Sequence, residues 1–378
     1  MASSVFAGHG APHAPERPLT QDLRIEAYAK LLVERCLDVQ PGWEVLIRST
    51  PLARPLLDEL ERQVARRGAY PIMRIGWSMW PVDHGWATEA PEHLLGELPE
   101  IDRFASDRMD ARITLDAPEN TRAEADVPAE RLALIHAAEK VFYRRTMTSE
   151  IPWVSCQFPT HALAQEAGLT LDQLTDIVFD SCLLDWDAEG DRMRRYADRF
   201  DEAAEIRIVG DGTDLTISLD GRHGEVDDGR KNMPGGEFFF APVEDSASGL
   251  ISFSEYPAVH EGHELEGIRL EFKDGKVVDA SAVRGEHVLH GILDRDDGAR
   301  RIGELGIGCN PSITRYMKNV LFDEKIDGSI HLALGQSYTS IGGLNTSAIH
   351  WDIVKDLRSG GRIELDGAVV QDNGAWVI

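Results

Sequence analysis

Positive charge is in short supply in this 378-residue chain. Lys and Arg number 39 against 65 Asp and Glu, a formal net charge of −26 at pH 7, and only eight of the 39 are lysine. A field of that sign repels phosphate backbones and anionic lipid, which argues against nucleic-acid and membrane-surface partners. It suits solubility, attraction of cations or a salty cytoplasm. Cysteine is scarce too. Cys36, Cys156, Cys182 and Cys309 are scattered without a CxxC pair, so neither a disulfide framework nor a zinc–thiolate knot is expected, in keeping with a reducing compartment. No apolar run approaches the ~20 residues needed to span a bilayer. The first twenty residues are rich in Ala, Pro, His and Ser, and lack the basic start and apolar stretch of a secretion signal. A cytoplasmic protein is expected. The first half also lacks a GxGxxG after a strand, a P-loop and a GxSxG elbow, and its His84, His93, His136 and His161 have no supporting pattern.

The bulk composition is that of a chain with a proper core: 42% hydrophobic and 28% charged. Its length favours two domains. After a flexible arm over residues 1–20, a helix is expected from Gln21, with Ile25, Ala29, Leu32 and Cys36 on one face. Pro41-Gly42 ends it, and Glu44 to Ile47 reads as a buried strand. Leu56, Leu57, Leu60 and Val64 mark a second helix closed by Gly68, and Tyr70 to Ile75 a second strand. Strand, helix and strand in that order predict a parallel crossover. Further strands are expected at 112–115 and 151–154, and helices near 128–139 and 171–199. Residues 21–200 therefore read as an α/β domain with a mostly parallel sheet. From about Ala204 short apolar runs alternate with Asp-Gly pairs, at 211–212, 220–221, 274–275 and 366–367, the signature of tight hairpins. One hairpin is expected to pair Leu265–Phe272 with Lys276–Val283. Residues 201–378 read as an α+β domain rich in antiparallel strands.

Chemistry gathers in this second half. Four segments place metal-compatible side chains beside glycines, where backbones approach closely. They are Asn232 to Glu237, Arg301 to Gly306, Ser329 to Gly335 and Ser347 to Asp352. His331 interrupts an alternating apolar strand, where a polar group needs a reason. His350 and Asp352 stand two apart, which on a strand points both to one face and offers an imidazole and a carboxylate to a divalent ion. Two lookalikes are set aside. His260-Glu261-Gly262-His263-Glu264 has its histidines three apart, not the four of a zincin helix, and reads as an exposed loop. His287 and His290 read as a pair on a helix surface.

The run from Asn232 to Asp352 resembles the M29 family of metalloaminopeptidases, the group of aminopeptidase T. Five motifs carry the resemblance, in the family's order. They are Pro234-Gly235-Gly236-Glu237-Phe238 with Ala241 to Ser246, then Gly303 to Gly306, Leu321 to Lys325, His331 to Gly335, and Ile349 to Asp352. The resemblance implies an aminopeptidase acting on short peptides, with two divalent ions (Zn, Co, Mn or Mg) in the C-terminal domain. It implies metal ligands at Glu237, Glu304, His331, His350 and Asp352, with Glu304 and Tyr338 in catalytic roles. Tyr338 would be a ligand or a hydrogen-bond donor to the oxyanion. It implies further a homodimer whose C-terminal domains pack around an enclosed cavity. Glu324 is a candidate general base, although Asp-Glu before a basic residue reads as a solvated turn. The Gly-rich stretch between His331 and His350 is shorter than the family's usual one, which leaves substrate choice open. The fold also resembles that of dihydroxypyridine dioxygenases, ring-cleaving enzymes with one non-haem iron. That branch is expected to carry histidine where this chain has Glu304.

Overall fold

The computed structural model describes residues 22–77 and 83–377; the expected arm over residues 1–20 lies outside them. The opening helix Arg24–Lys30 runs on as a wider π turn, Leu31–Cys36, and buries Ile25, Ala29, Leu32 and Cys36 as the spacing predicts. Strands Glu44–Ser49 and Tyr70–Ile75 pair in parallel across the helix Arg54–Arg66. Ala111–Asp116 joins the other side of the first strand, and Trp153–Gln157 follows it, also in parallel. The expected strand at 151–154 thus begins two residues late. Pro152 has no N–H to give the ladder, and it enters only through its carbonyl, which accepts from Arg112. The helix expected near 128–139 spans Ala129–Phe142. The one expected over 171–199 is two, Leu171–Cys182 and Trp186–Asp201. Asp185 starts the second by accepting the Ala188 N–H at 3.2 Å, the preferred N-cap arrangement.

The second half folds into antiparallel sheets, a large one of eight strands and a smaller one of five. One core joins them, with Ile206, Leu215, Ile251 and Leu270 from the large sheet and Phe238, Leu305, Ile330 and Leu332 from the small one. The Asp274-Gly275 hairpin is present, both residues at positive φ, and pairs Ile268–Lys273 with Lys276–Ser281. It starts later than expected because Leu265 closes a smaller hairpin, Ala258–His260 with His263–Leu265. The His260-to-Glu264 motif is that hairpin and not a loop, its turn made by Glu261 and Gly262 at φ 47° and 79°.

The halves interlock. Asn232–Met233 adds a fifth strand to the parallel sheet beside Trp153–Gln157. Ile313, Met317, Phe322 and Ile326 pack into the first core. A segment of the second half is thereby fixed against the first. Among the described residues no helix is long and apolar enough to cross a membrane.

Candidate metal centre

The small sheet runs in the order His350–Asp356, Ser329–Gly335, Ile302–Gly308, Glu237–Phe240, Glu225–Asp227. Its register sorts the side chains. Asp227 pairs with Glu237, Glu237 with Gly308, Gly306 with His331, Ala333 with Asp352, and Gly335 with His350. Paired residues and their neighbours two along share a face. Asp227, Glu237, Glu304, His331, His350 and Asp352 therefore stand on one face, while Phe238, Leu305, Ile330, Leu332 and Trp351 fill the core behind them. Gly306 is needed where His331 crosses the sheet: a Cβ there would meet the imidazole Cε1 at 1.9 Å. Gly236, at φ +117°, lets the chain pass Asn310, whose Cβ would lie 2.6 Å from an added one.

The five carboxylates and imidazoles singled out by sequence come together. Glu304 lies between the histidines, with Oε1 3.3 Å from His331 Nε2 and Oε2 3.4 Å from His350 Nε2. Glu237 Oε2 is 3.4 Å from His331 Nε2, and Asp352 Oδ1 is 3.6 Å from His350 Nε2. Both rings are oriented from behind. His331 Nδ1 donates to the Glu324 carbonyl at 3.1 Å, and His350 Nδ1 to the Gln336 carbonyl at 2.8 Å. A carbonyl can only accept, so each neutral ring carries its proton on Nδ1 and turns the Nε2 lone pair toward the carboxylates. Three overlapping donor groups result, each of two carboxylates and one imidazole: Glu237, Glu304 and His331; Glu304, His350 and Asp352; and Glu324, His331 and Asp352, with the donor atoms of each within 4.8 Å of one another.

Sequence reasoning missed the support beneath them. Lys325 is wholly buried, with Nζ 3.1 Å from Glu237 Oε1, 3.7 Å from Asp227 Oδ2 and bonded to Glu324 Oε1. Asp323 is buried as well, accepting the Met317 and Asn319 N–H groups at 2.6 Å each. The Asp323-Glu324-Lys325 turn is thus interior, against the expectation of a solvated one. Its flanks Phe322 and Ile326 are anchored in the first core and draw it inward. The available signal was a charged turn flanked by Phe322 and Ile326, holding one of only eight lysines in the chain.

The electrostatics are those of a site that attracts cations. Burial disfavours imidazolium at His331, yet the Glu304, Glu237 and Asp352 carboxylates together outweigh it and lift the pKa from 6.5 to about 10. His350 rises to about 9 against burial in the same way, through Glu304 and Asp352. Burial would lift Glu304, but its two histidines hold it down at about 2. At Glu237 burial wins against Lys325 and pushes the carboxyl up to about 8; Asp352 is raised to about 6 despite His350. Glu237 Oε2 is buried and accepts no hydrogen bond, and neither does Asp227 Oδ2. Such orphaned oxygens are costly unless something positive meets them. Oxygen and imidazole donors without thiolate fit a divalent ion such as Zn, Co or Mn.

Tyr338 stands at the edge, its ring centroid 5.3 Å from that of His350 and 5.8 Å from Phe239. Burial and the charge of Glu304 raise its pKa, so the phenol keeps its proton as a donor. The set-aside histidines stay apart: His287 and His290 are exposed on the helix Glu286–Leu293. A cavity of about 620 Å³ opens beyond the carboxyl ends of the parallel strands, bounded by Asp116, Gln157, Lys318 and Asn319, and contains none of the donor residues.

Comparison with known proteins agrees. A family model described as thermophilic metalloprotease (M29) matches residues 21–376. Aminopeptidase 2 of Geobacillus stearothermophilus is 28% identical, over 87% of this chain and 91% of its own. Aminopeptidase PepS of Streptococcus thermophilus is 28% identical, over 94% and 98%. The structure of wild-type AmpT from Thermus thermophilus superposes with a TM-score of 0.81 at 23% identity, over 94% of this chain and 99% of that one. A 2,5-dihydroxypyridine dioxygenase from Pseudomonas putida KT2440 reaches a TM-score of 0.62 at 13% identity, over 93% and 96%. At those identities the two structures speak for the fold alone.

Proposed function

Because this chain belongs to the M29 family of metalloproteases, a metallo-aminopeptidase family, we propose that it removes N-terminal residues from short peptides at a pair of divalent ions. Glu237, Glu304 and His331 would hold one ion, and Glu304, His350 and Asp352 the other. One observation carries the reading: each oxygen of Glu304 addresses a different histidine, as a carboxylate shared by two cations would. Charge supports it. With neutral imidazoles, Asp227, Glu237, Glu304, Glu324 and Asp352 against Lys325 leave four negative charges, which two divalent ions would balance.

Such ions, when bound, supply a Lewis acid for the scissile carbonyl, a water acidic enough to ionise near neutral pH, and an anchor for the free amino group. The chain supplies the rest. The Glu324 and Gln336 carbonyls fix the rings, the apolar back of the sheet keeps the strands rigid, and Tyr338 donates a hydrogen bond to the developing oxyanion. The stretch from Gln336 to Ile349 borders the site and shapes the choice of first residue.

A one-iron dioxygenase on the same fold is the competing reading. It would leave two of the four negative charges unbalanced, and its branch is expected to place histidine where Glu304 stands. The test is elemental analysis of the purified protein together with turnover of amino-acid p-nitroanilides in added Co²⁺, Mn²⁺ or Zn²⁺. About two ions per chain with anilide turnover is expected. One iron with oxygen uptake on a dihydroxylated ring would replace this reading with the other. A boundary near residue 200 between α/β and metal-binding domains, a homodimer and a cytoplasmic setting belong to the same proposal, and light scattering checks the dimer.

A further inference from the structure

We propose that the cavity of about 620 Å³ at the carboxyl ends of the parallel strands is a second binding site, and that it takes a small primary amine, with the ammonium on Asp116 and a short apolar body against the wall beside it. Ala111–Asp116 and Trp153–Gln157 are neighbouring parallel strands, and their last residues, Asp116 and Gln157, stand opposite each other in register. Open α/β sheets hold their ligands just outside such strand ends. The second half of the chain supplies the facing wall, with Val259 and residues 317–320. The volume falls within the ~300–1,000 Å³ usual for small-molecule sites. Leu163, Leu174 and Met317, all buried, give the lining its apolar surface.

The cavity is separate from the metal centre. It contains none of the donor residues. Val259, which closes one side, accepts a hydrogen bond from Trp351 Nε1 through its carbonyl at 3.1 Å. Trp351 belongs to the core behind the small sheet, away from the face that carries the donors.

Asp116 is the group that lacks a partner. Gln157 Nε2 donates to its Oδ2 at 3.0 Å, and Asn319 Nδ2 donates to Gln157 Oε1 at 2.8 Å, which fixes the amide in that direction. Burial pushes the Asp116 carboxyl up, only the Gln157 amide holds it down, and no basic side chain among the described residues pairs with it. A carboxylate drawn out of water and given one neutral donor is costly until a cation meets it. The surface that Asp116 keeps is part of the cavity lining.

The lining selects the sign and the kind of ligand. Five carboxylates stand against Arg122 and Lys318 among the described residues. Both cations are engaged, Arg122 Nη2 with Glu166 at 3.4 Å and Lys318 Nζ with Glu264 at 2.6 Å. An anion therefore finds no free charge here. A metal ion finds too few donors, because among the described residues no three of them converge on this cavity. An ammonium needs one carboxylate, and the carbon chain behind it can cover Leu163, Leu174 and Met317.

The test is titration calorimetry of the metal-loaded, full-length chain with 3-methylbutylamine at neutral pH. Saturable binding is expected. The alcohol 3-methylbutanol, alike in shape but uncharged, should bind roughly 10- to 100-fold more weakly, the contribution of a hydrogen bond to a charged group. Asp116→Asn should weaken the amine by the same factor, with metal content unchanged and a melting temperature no lower, since it removes an unpaired charge. Ala167→Phe fills the cavity from its wall and should abolish binding of amine and alcohol alike; it serves as the second route if Asp116→Asn does not fold. An amine that binds no better than the alcohol overturns the proposal, as does a failure to saturate at millimolar concentration. Binding that survives in either variant at wild-type strength places the amine elsewhere, the metal centre included, and overturns it too.

Discussion

Replacing Glu304 by glutamine tests the centre at its shared ligand. The substitution keeps the shape and removes the charge that faces both histidines. In the metal-stripped protein that charge holds two imidazolium rings, His331 buried and His350 partly so. Removing one partner from such a buried arrangement costs about 3–5 kcal/mol. The depressed pKa of Glu304, at about 2 against an ordinary 4.5, gives about 3 kcal/mol by linkage. A chain of 378 residues unfolds with an entropy near 0.8 kcal/mol/K, so the melting temperature should fall by about 4 °C. The pH window follows from the signs. A depressed carboxylate contributes stability that is present above its unfolded pKa and lost as pH falls through about 2. The raised histidines contribute stability that is complete below 6.5 and lost as pH rises through about 9 and 10. The penalty should therefore be largest between roughly pH 4.5 and 6.5 and shrink toward pH 10. Calorimetric melts of stripped wild-type and Glu304→Gln protein across pH 4–10 measure it. A difference below 1 °C at pH 6, or one that grows toward pH 10, would refute the shared-acceptor geometry. Reloaded with metal, the variant should hold fewer than two ions.

Three further outcomes follow from the same structure. Gly306→Ala places a methyl group 1.9 Å from the His331 ring; it should cost roughly 1–3 kcal/mol as an overpacking strain and lower the metal content, read by melting and elemental analysis. Because His331, His350 and Glu237 are raised to about 10, 9 and 8, ions must displace protons at pH 7. Calorimetric titration in buffers of different ionisation heat should show net proton release, and affinity should fall as the pH is lowered. Cys36 and Cys182 are buried with thiols pushed up to about 12, and all four cysteines are buried and free. The folded chain should therefore leave Ellman's reagent unreacted until denaturant is added.

The sequence shows the second half of this protein more clearly than its joints. Strands with period two announce which side chains share a face, so His350 and Asp352 could be paired before any coordinates. Register could not be read that way. That Gly306 lies opposite His331, and Ala333 opposite Asp352, depends on how separate strands pair, and nothing local in either strand specifies it. The Asp185 break was missed because a charged helical pattern continues through it and only the cap changes the chain's direction. Lys325 was misread for a related reason. A charged turn is solvated unless something remote pulls it inward, and here the pull comes from Phe322 and Ile326 inserting into a core built by residues more than a hundred positions earlier.

That long-range anchoring bears on how the centre survives without its ions. A structural zinc site usually unfolds when stripped, because the metal supplies most of the folding energy. Here the donors stand on a sheet whose other face is packed against an apolar core, and protons can occupy the place of the cations: both histidines and Glu237 are raised so that they hold them at neutral pH. Lys325 remains as a permanent third positive charge. The chain should thus stay folded after chelation at pH 7, with unchanged far-ultraviolet circular dichroism, and recover two ions on readdition. Stripping should become damaging only as the pH rises past about 9, where the histidines lose their protons and the buried carboxylates have only Lys325 to face. Loss of the fold on chelation at pH 7 would mean that the metals, and not the core behind the sheet, hold these strands in register.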